Sequence, residues 1–234
     1  MILAEIDEIS SNYVRDLFKQ QTARDKQRTV GLSQLSNLCS KCLAETMATG
    51  ANHQSKFDAG AVIGTAIHEM LERRNNDPMA LKEFKGLVDV IPDYGEIRST
   101  TDLYRIDNRQ IIDFKTSTRA KMDVYLRDWE KERPNSTLDR YWRQAQGYAY
   151  MVEGDVDTVT ICFIARDAQI IDRDIFALSM PYDEKIAVGM MNRAKSIWKY
   201  LEDGGDWHEL NSHDDCFVCN NVRPILESEE VGDL

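Results

Sequence analysis

Two C-x-x-C pairs, Cys39/Cys42 and Cys216/Cys219, stand near opposite ends of a 234-residue chain and constrain its fold more than any other feature. One such pair brings two thiolates to a metal from a tight turn, and two pairs complete a four-sulfur site. A shared centre ties the N-terminal part of the chain to its C-terminal part. The competing readings are two unrelated pairs or disulfides. Disulfides belong to oxidising compartments, and the opening MILAEIDEIS lacks the basic-then-apolar pattern of a secretory signal. The expected location is therefore cytoplasmic. Cys162 lies in the strand-like run VDTVTICFIA and reads as a small buried hydrophobe.

Between the pairs the chain alternates helical and strand-like patterns. Glu8–Arg28 has helical periodicity, and a Gly31-Leu32-Ser33 break precedes a short helical stretch carrying the first cysteines. Residues 50–58 read as a loop. Over 59–74 the positions Ile63, Ile67, Met70 and Leu71 recur at helical spacing, predicting a half-buried helix. A strand-rich block over 86–116, helices near 119–131 and 139–153, strands near 156–165 and 170–176, and a helix near 183–203 follow. No run of about 18 apolar residues exists, which excludes a helical membrane span. The fold class is α/β, a central mixed β-sheet flanked by helices. We expect one domain, with an N-terminal helical part over 1–58, a core over 59–180 and a C-terminal helix with the second cysteine pair over 181–234.

The stretch EIRSTTDLYRIDNRQIIDFKTST carries the chemistry. Two strand-like runs flank Asp107-Asn108, an acceptable two-residue turn. That turn places Asp102 directly opposite Asp113, with Lys115 two residues on and on the same face. Opposed carboxylates repel; a hard divalent cation removes the conflict and uses both as ligands. A neighbouring ammonium can orient a water and balance charge on a phosphate. The alternative is an exposed hairpin face on which Lys115 neutralises two solvated acids. Upstream, Gly64 and His68 lie four apart on one helix face, so the side-chain-free position admits a close neighbour beside the imidazole. Downstream, Gln144 and Tyr148 lie one helical turn apart.

In order, G-x-x-x-H, Asp, D-x-K and Q-x-x-x-Y resemble the RecB-like branch of the PD-(D/E)XK nuclease superfamily over roughly residues 30–220. The resemblance implies a restriction-endonuclease-like core and metal-dependent hydrolysis of DNA by a metal-activated water. It implies that His68, Asp102, Asp113 and the backbone carbonyl of Phe114 bind catalytic Mg2+ or Mn2+. Lys115 is then catalytic, and Gln144 and Tyr148 hold the strand near the scissile phosphate. CRISPR-associated RecB-like nucleases and their helicase-nuclease relatives carry cysteines bracketing the same core, which favours a [4Fe–4S] cluster at Cys39, Cys42, Cys216 and Cys219. Those relatives divide the cysteines one and three. The two-and-two division here is equally natural for Zn2+, the alternative.

The net charge of −11 and pI near 4.9 argue against a general polyanion binder. Local charge narrows that argument. Ser117–Arg143 holds seven basic residues, including Arg119 and Arg143 as candidate substrate contacts, against five acidic ones. Tyr125, Trp129, Tyr141 and Trp142 are interleaved, and such rings can stack on bases; the alternative is an ordinary amphipathic helix pair. A second basic run lies over Arg15–Arg28, and His53, His208 and His213 read as loop or surface residues. No sequence-reading module is recognisable. The expected function is an exonuclease acting on DNA ends, in a recombination, repair or CRISPR setting. The rival is an inert nuclease-fold binding or assembly module organised by zinc or an iron–sulfur centre.

Overall fold

The computed structural model describes residues 29–50, 59–131, 136–152, 155–167 and 174–222. The helix expected over Glu8–Arg28 with its basic run, the loop over 51–58 with His53, and the acidic tail lie outside them. Two short helices come first, α1 (Leu32–Leu35) and α2 (Ser40–Thr49). Helix α2 stops at Gly50, whose φ of +69° is a left-handed cap that glycine adopts without a Cβ clash. Then follow α3 (Ala59–Arg74), the strands β1 (Ala80–Ile91), β2 (Gly95–Arg105) and β3 (Gln110–Ser117), and the helices α4 (Arg119–Glu130) and α5 (Ser136–Met151). Strands β4 (Thr158–Ala165) and β5 (Ile175–Pro181) precede α6 (Glu184–Glu202), and a π-helical turn over Val218–Val222 carries Cys219.

The five strands form one sheet in the order β1-β2-β3-β4-β5. Neighbours are antiparallel except β3 and β4, which run parallel because α4 and α5 form the crossover between them. This is the mixed sheet flanked by helices that the patterning implies. Strand β4 buries Val159, Ile161 and Phe163 completely and Thr160 nearly so, which explains its continuous apolar sequence.

Helix α5 packs on β1 through β4, with Leu138, Trp142, Ala145 and Ala149 at helical spacing on its buried face. A Cβ at Gly147 would lie 2.5 Å from Leu32 Cδ2, so the glycine lets α1 seat against α5. Fully buried Gln146 donates to Pro181 O at 3.2 Å and accepts from Asp183 N at 2.8 Å. It ties α5 to the β5–α6 junction.

Three sequence expectations are corrected. Strand β1 starts at Ala80 rather than 86, because it pairs with β2 from Ala80↔Arg105 onward although Leu81 and Leu87 stay exposed. The last strand occupies 175–181 rather than 170–176, set by its pairing with β4 from Ile164↔Ile175 to Thr158↔Pro181. Ile63 is exposed, and its neighbour Gly64 makes the contact between α3 and the sheet.

Candidate active site and cysteine centre

The β2–β3 hairpin sets the geometry. Its turn spans Ile106–Arg109, closed by Arg109 N–H donating to Ile106 O, with Arg109 at φ +49°. The register is the expected one, Arg105↔Gln110, Tyr104↔Ile111 and Leu103↔Ile112, but the ladder stops there. Continued by one pair, this register sets Asp102 opposite Asp113 as expected, but the hydrogen-bonded ladder does not include them. Two like charges directly opposite disfavour a closed pair, and the Asp102 Oδ2 instead accepts the Phe114 N–H at 2.7 Å.

His68 reaches this point from α3. A Cβ at Gly64, one turn earlier, would sit 2.8 Å from Thr116 Oγ1, so the glycine lets the helix rest on β3. His68 Nδ1 lies 3.3 Å from Asp102 Oδ1, and its ring meets that of Phe114 edge-on at 5.9 Å. Hydrogen bonding to Asp102 raises the imidazole pKa, with burial opposing.

Asp113 is 1% exposed. Lys115 Nζ lies 2.8 Å from its Oδ2 and donates to its Oδ1 at 3.1 Å. Oδ2 is buried and accepts no directed hydrogen bond. Burial pushes Asp113 up to about 6; Lys115 opposes that shift and Asp102 adds to it. Lys115 also donates to Gln144 Oε1 at 3.1 Å, and Gln144 Nε2 donates to Tyr148 Oη at 2.6 Å. Burial holds the Tyr148 phenol well above its usual pKa, so it stays protonated. Phe114, between the two aspartate contacts, and this relay join all the motif residues in one connected set.

His68, Asp102 and Phe114 also line a cavity of about 320 Å³ together with Glu72, Lys82 and Glu83. Sequence reasoning missed Thr116 and Glu83, and it read Tyr141 as a base-stacking ring, whereas that ring lies 5.1 Å from Lys115 Nζ. Only the cross-strand register would have pointed to Glu83. The donor types, an imidazole and two carboxylates with a buried Asp113 Oδ2, are those a hard divalent cation takes, although among the described residues only the four cysteines hold three or more such ligand atoms within 4.8 Å of one another.

The candidate DNA contacts differ from this picture. Arg119 is engaged by Asp123 and Asp174, and Arg143 by Asp139. Tyr125 and Trp142 are buried, and Tyr125 and Tyr141 pack on Phe163 while Trp129 packs on Trp142. The base-stacking reading of this aromatic group gives way to a core-packing one, because these rings fill the space between the crossover helices and β4.

The cysteines meet as the pairs require. Cys39 and Cys42, at the start of α2, face Cys216 and Cys219, and the four sulfurs lie within 4.8 Å of one another. Sγ–Sγ distances are 3.5 Å for Cys42–Cys216 and Cys42–Cys219 and 3.7 Å for Cys39–Cys219. A hydrogen bond from the Cys42 thiol lowers Cys39 to about 4, with backbone N–H groups of Cys42 and His213 also directed at its sulfur; Cys42 is raised correspondingly. Arg193 of α6 donates to the carbonyl oxygens of Leu35, Asn37 and Leu38, bracing the loop that leads into Cys39. His213 contributes its backbone, its carbonyl accepting from Cys216 N at 2.9 Å. Cys162 is half-buried on β4 and apart from the centre.

No family model and no curated protein matches the chain. Solved structures do. A phage-related exonuclease from Haemophilus somnus 129PT is similar at 16% identity and a TM-score of 0.56, over 75% of this chain and 94% of that one. The alkaline exonuclease LHK-Exo from Laribacter hongkongensis matches at 15% identity and a TM-score of 0.55, over 79% and 93%. Its complex with dAMP matches at 15% and 0.52, over 81% and 93%. Sheet order and these likenesses agree: the chain has the fold of the phage-related and alkaline exonucleases.

Proposed function

We propose that the chain is a divalent-metal-dependent DNA exonuclease, a single domain in which residues 59–180 form the catalytic core. The observation that carries this reading is the linked set His68, Asp102, Asp113, Lys115, Gln144 and Tyr148, drawn from four elements far apart in sequence. His68, Asp102, Asp113 and the Phe114 carbonyl would hold Mg2+ or Mn2+. When bound, the cation supplies a water of lowered pKa and a counter-charge for the phosphate. Lys115, held between Asp113 and Gln144, presents an ammonium beside the reacting position and balances negative charge there. Gln144 fixes the Tyr148 phenol, and the pair grips the strand next to the cleaved bond. LHK-Exo, which shares the fold, is also known in complex with dAMP, and this supports a nucleic-acid substrate here.

The cysteine centre joins α2 to the C-terminal turn and is structural. An ion bound tetrahedrally at about 2.3 Å from each sulfur requires sulfurs about 3.8 Å apart, which the 3.5–3.7 Å separations approach. A cubane, with four irons inside the sulfur shell, needs the thiolates farther apart. The spacing therefore supports Zn2+ over the [4Fe–4S] cluster that the position along the chain favours. Reduced thiols committed to a metal fit a cytoplasmic setting; no helix among the described residues is long and apolar enough to cross a membrane.

The deciding experiment incubates end-labelled single- and double-stranded DNA with Mg2+, Mn2+ or EDTA. Metal-dependent release of nucleotides from ends is the expected result. No release from any end structure, with any metal, returns the chain to the inert binding or assembly module.

A further inference from the structure

Strands β1 and β2 pair as Lys82↔Leu103 and Phe84↔Thr101, so the residue opposite Asp102 is Glu83. Strands β2 and β3 pair as Leu103↔Ile112, so on the other side the next position opposite Asp102 is Asp113. Glu83, Asp102 and Asp113 thus stand in one row across three neighbouring strands. Cross-strand partners share a face of the sheet, and like charges so placed repel. The backbone gives way at both joints of the row. The β2–β3 ladder stops before Asp102 and Asp113. Glu83 leaves the β1–β2 ladder and takes φ +46°, a left-handed conformation unusual for a strand glutamate.

Glu83 remains half-buried and lines the same cavity of about 320 Å³ as His68, Asp102 and Phe114. Burial raises its carboxyl pKa, with Asp102 and Glu72 adding to the shift and His68 opposing, as expected of an acid facing these groups. The preceding lysine does not neutralise it. Lys82 Nζ donates to the carbonyl oxygens of Glu72 and Asn75 at 2.9 and 3.0 Å, holding the end of α3. Lys115 serves the opposite end of the row, at Asp113. Lys85, two residues on, opposes the Glu83 charge more weakly than His68 does, so the Glu83 end still carries acid charge beside the Asp102 carboxylate and the imidazole.

We propose that Glu83 is a further carboxylate of the divalent-cation site, engaging the cation directly or through a water on the His68 and Asp102 side of the row. The assignment rests on the metal-site reading above and adds an acid that the His-Asp-Asp set does not contain. Hard cations gain affinity from each added carboxylate, and a divalent ion is the ligand that offsets three acids in line.

The test uses the full chain with its cysteine centre loaded, and Mn2+ as the probe. Binding is read without DNA from the EPR signal of free Mn2+, and from the Mn2+-induced shift in Tm. The proteins compared are the parent, Glu83→Gln and Asp113→Asn. Glu83→Gln should weaken Mn2+ binding about tenfold or more and shrink the metal-induced rise in Tm. It should raise Tm in buffer free of Mg2+ and Mn2+, because one of three repelling charges is gone. Unchanged Mn2+ affinity in Glu83→Gln, beside a loss in Asp113→Asn, overturns the role of Glu83 and leaves the metal site standing. Unchanged binding in both overturns the metal site and Glu83's place in it. A lower Tm for Glu83→Gln with unaltered Mn2+ affinity makes the residue structural, which also overturns the proposal. Glu83→Asn, which tolerates a left-handed backbone, gives the same readings should the glutamine variant fail to fold.

Discussion

Replacing Asp113 with asparagine should stabilise the protein while disabling it, and the gain should depend on pH. The carboxyl is 1% exposed, and burial raises its pKa from 3.8 to about 6. A shift of roughly 2 units corresponds to about 3 kcal/mol, the ceiling on what the ionised form costs the fold. Because the folded-state pKa lies above the unfolded one, this group's contribution to stability is fully present below pH 3.8 and is lost as pH rises through about 6. Asparagine removes that dependence. It also takes away the partner that Lys115 holds at 2.8 Å, a loss of about 1–2 kcal/mol for a partly buried ammonium. The net expectation at about pH 8 is a gain of about 1–2 kcal/mol, or roughly 2–8 °C in Tm for a chain of this size. At about pH 5 the gain should vanish or reverse, since the parent carboxyl is then mostly protonated. Thermal unfolding by circular dichroism, without added Mg2+ or Mn2+, measures the difference between variant and parent at each pH. The His68 transition is present in both proteins and largely cancels. A difference that stays constant from about pH 5 to 8, or a variant less stable throughout, would refute the claim that Asp113 is held against its solvation preference. DNA hydrolysis by the same preparation should fall about 100-fold or more, as expected when a group stabilising developing charge is lost.

Three other outcomes follow from the same geometry. Lys115→Met should lower turnover by about 10²–10⁴-fold with little change in DNA binding, measured as kcat against KM, because the proposed function puts the ammonium at the reacting position. Gly64→Ala adds a Cβ 2.8 Å from Thr116 Oγ1. Its helix-propensity gain of about 1 kcal/mol should be matched or exceeded by about 1–3 kcal/mol of overpacking, leaving Tm unchanged or lower by up to about 8 °C. Activity should nevertheless drop about tenfold or more as His68 is pushed from Asp102, and unaltered activity would show that α3 does not position the imidazole. Purified protein should be colourless, with about one zinc per chain. Cys216→Ser should lose the metal and unfold at a lower temperature, whereas a brown sample with bound iron would reverse the reading of the sulfur spacing.

How much of this was legible beforehand depends on the range over which each feature is determined. Helix α3, the β2–β3 hairpin and helix α5 were placed within a few residues, because hydrophobic period and turn residues act locally. The strand at 175–181 was misplaced, since its position follows pairing with β4 and its own apolar pattern is weak. The aromatic residues around Tyr125 and Trp142 were open to two readings because composition does not show which rings a helix pair turns inward. Glu83 was invisible for the same reason: its significance lies in standing opposite Asp102, and no spacing within β1 marks it.

The sequence by itself determined the chemical inventory and its local placement. It set two C-x-x-C pairs, an imidazole one helical turn after a glycine, two acids with a 215 register sum, a lysine two residues beyond the second acid, and an amide one turn before a phenol. Side-chain direction repeats every two residues on a strand and every 3.6 on a helix, so such spacings carry over from sequence to local structure. Only the tertiary structure decided that the β2–β3 ladder ends at the acids, that Asp102 turns to the Phe114 amide, that Asp113 is sealed from solvent and that the four sulfurs gather within 4.8 Å of one another. Each of these depends on the packing of elements distant along the chain, where repulsion, burial and loop bracing are balanced against one another and no local pattern records the result.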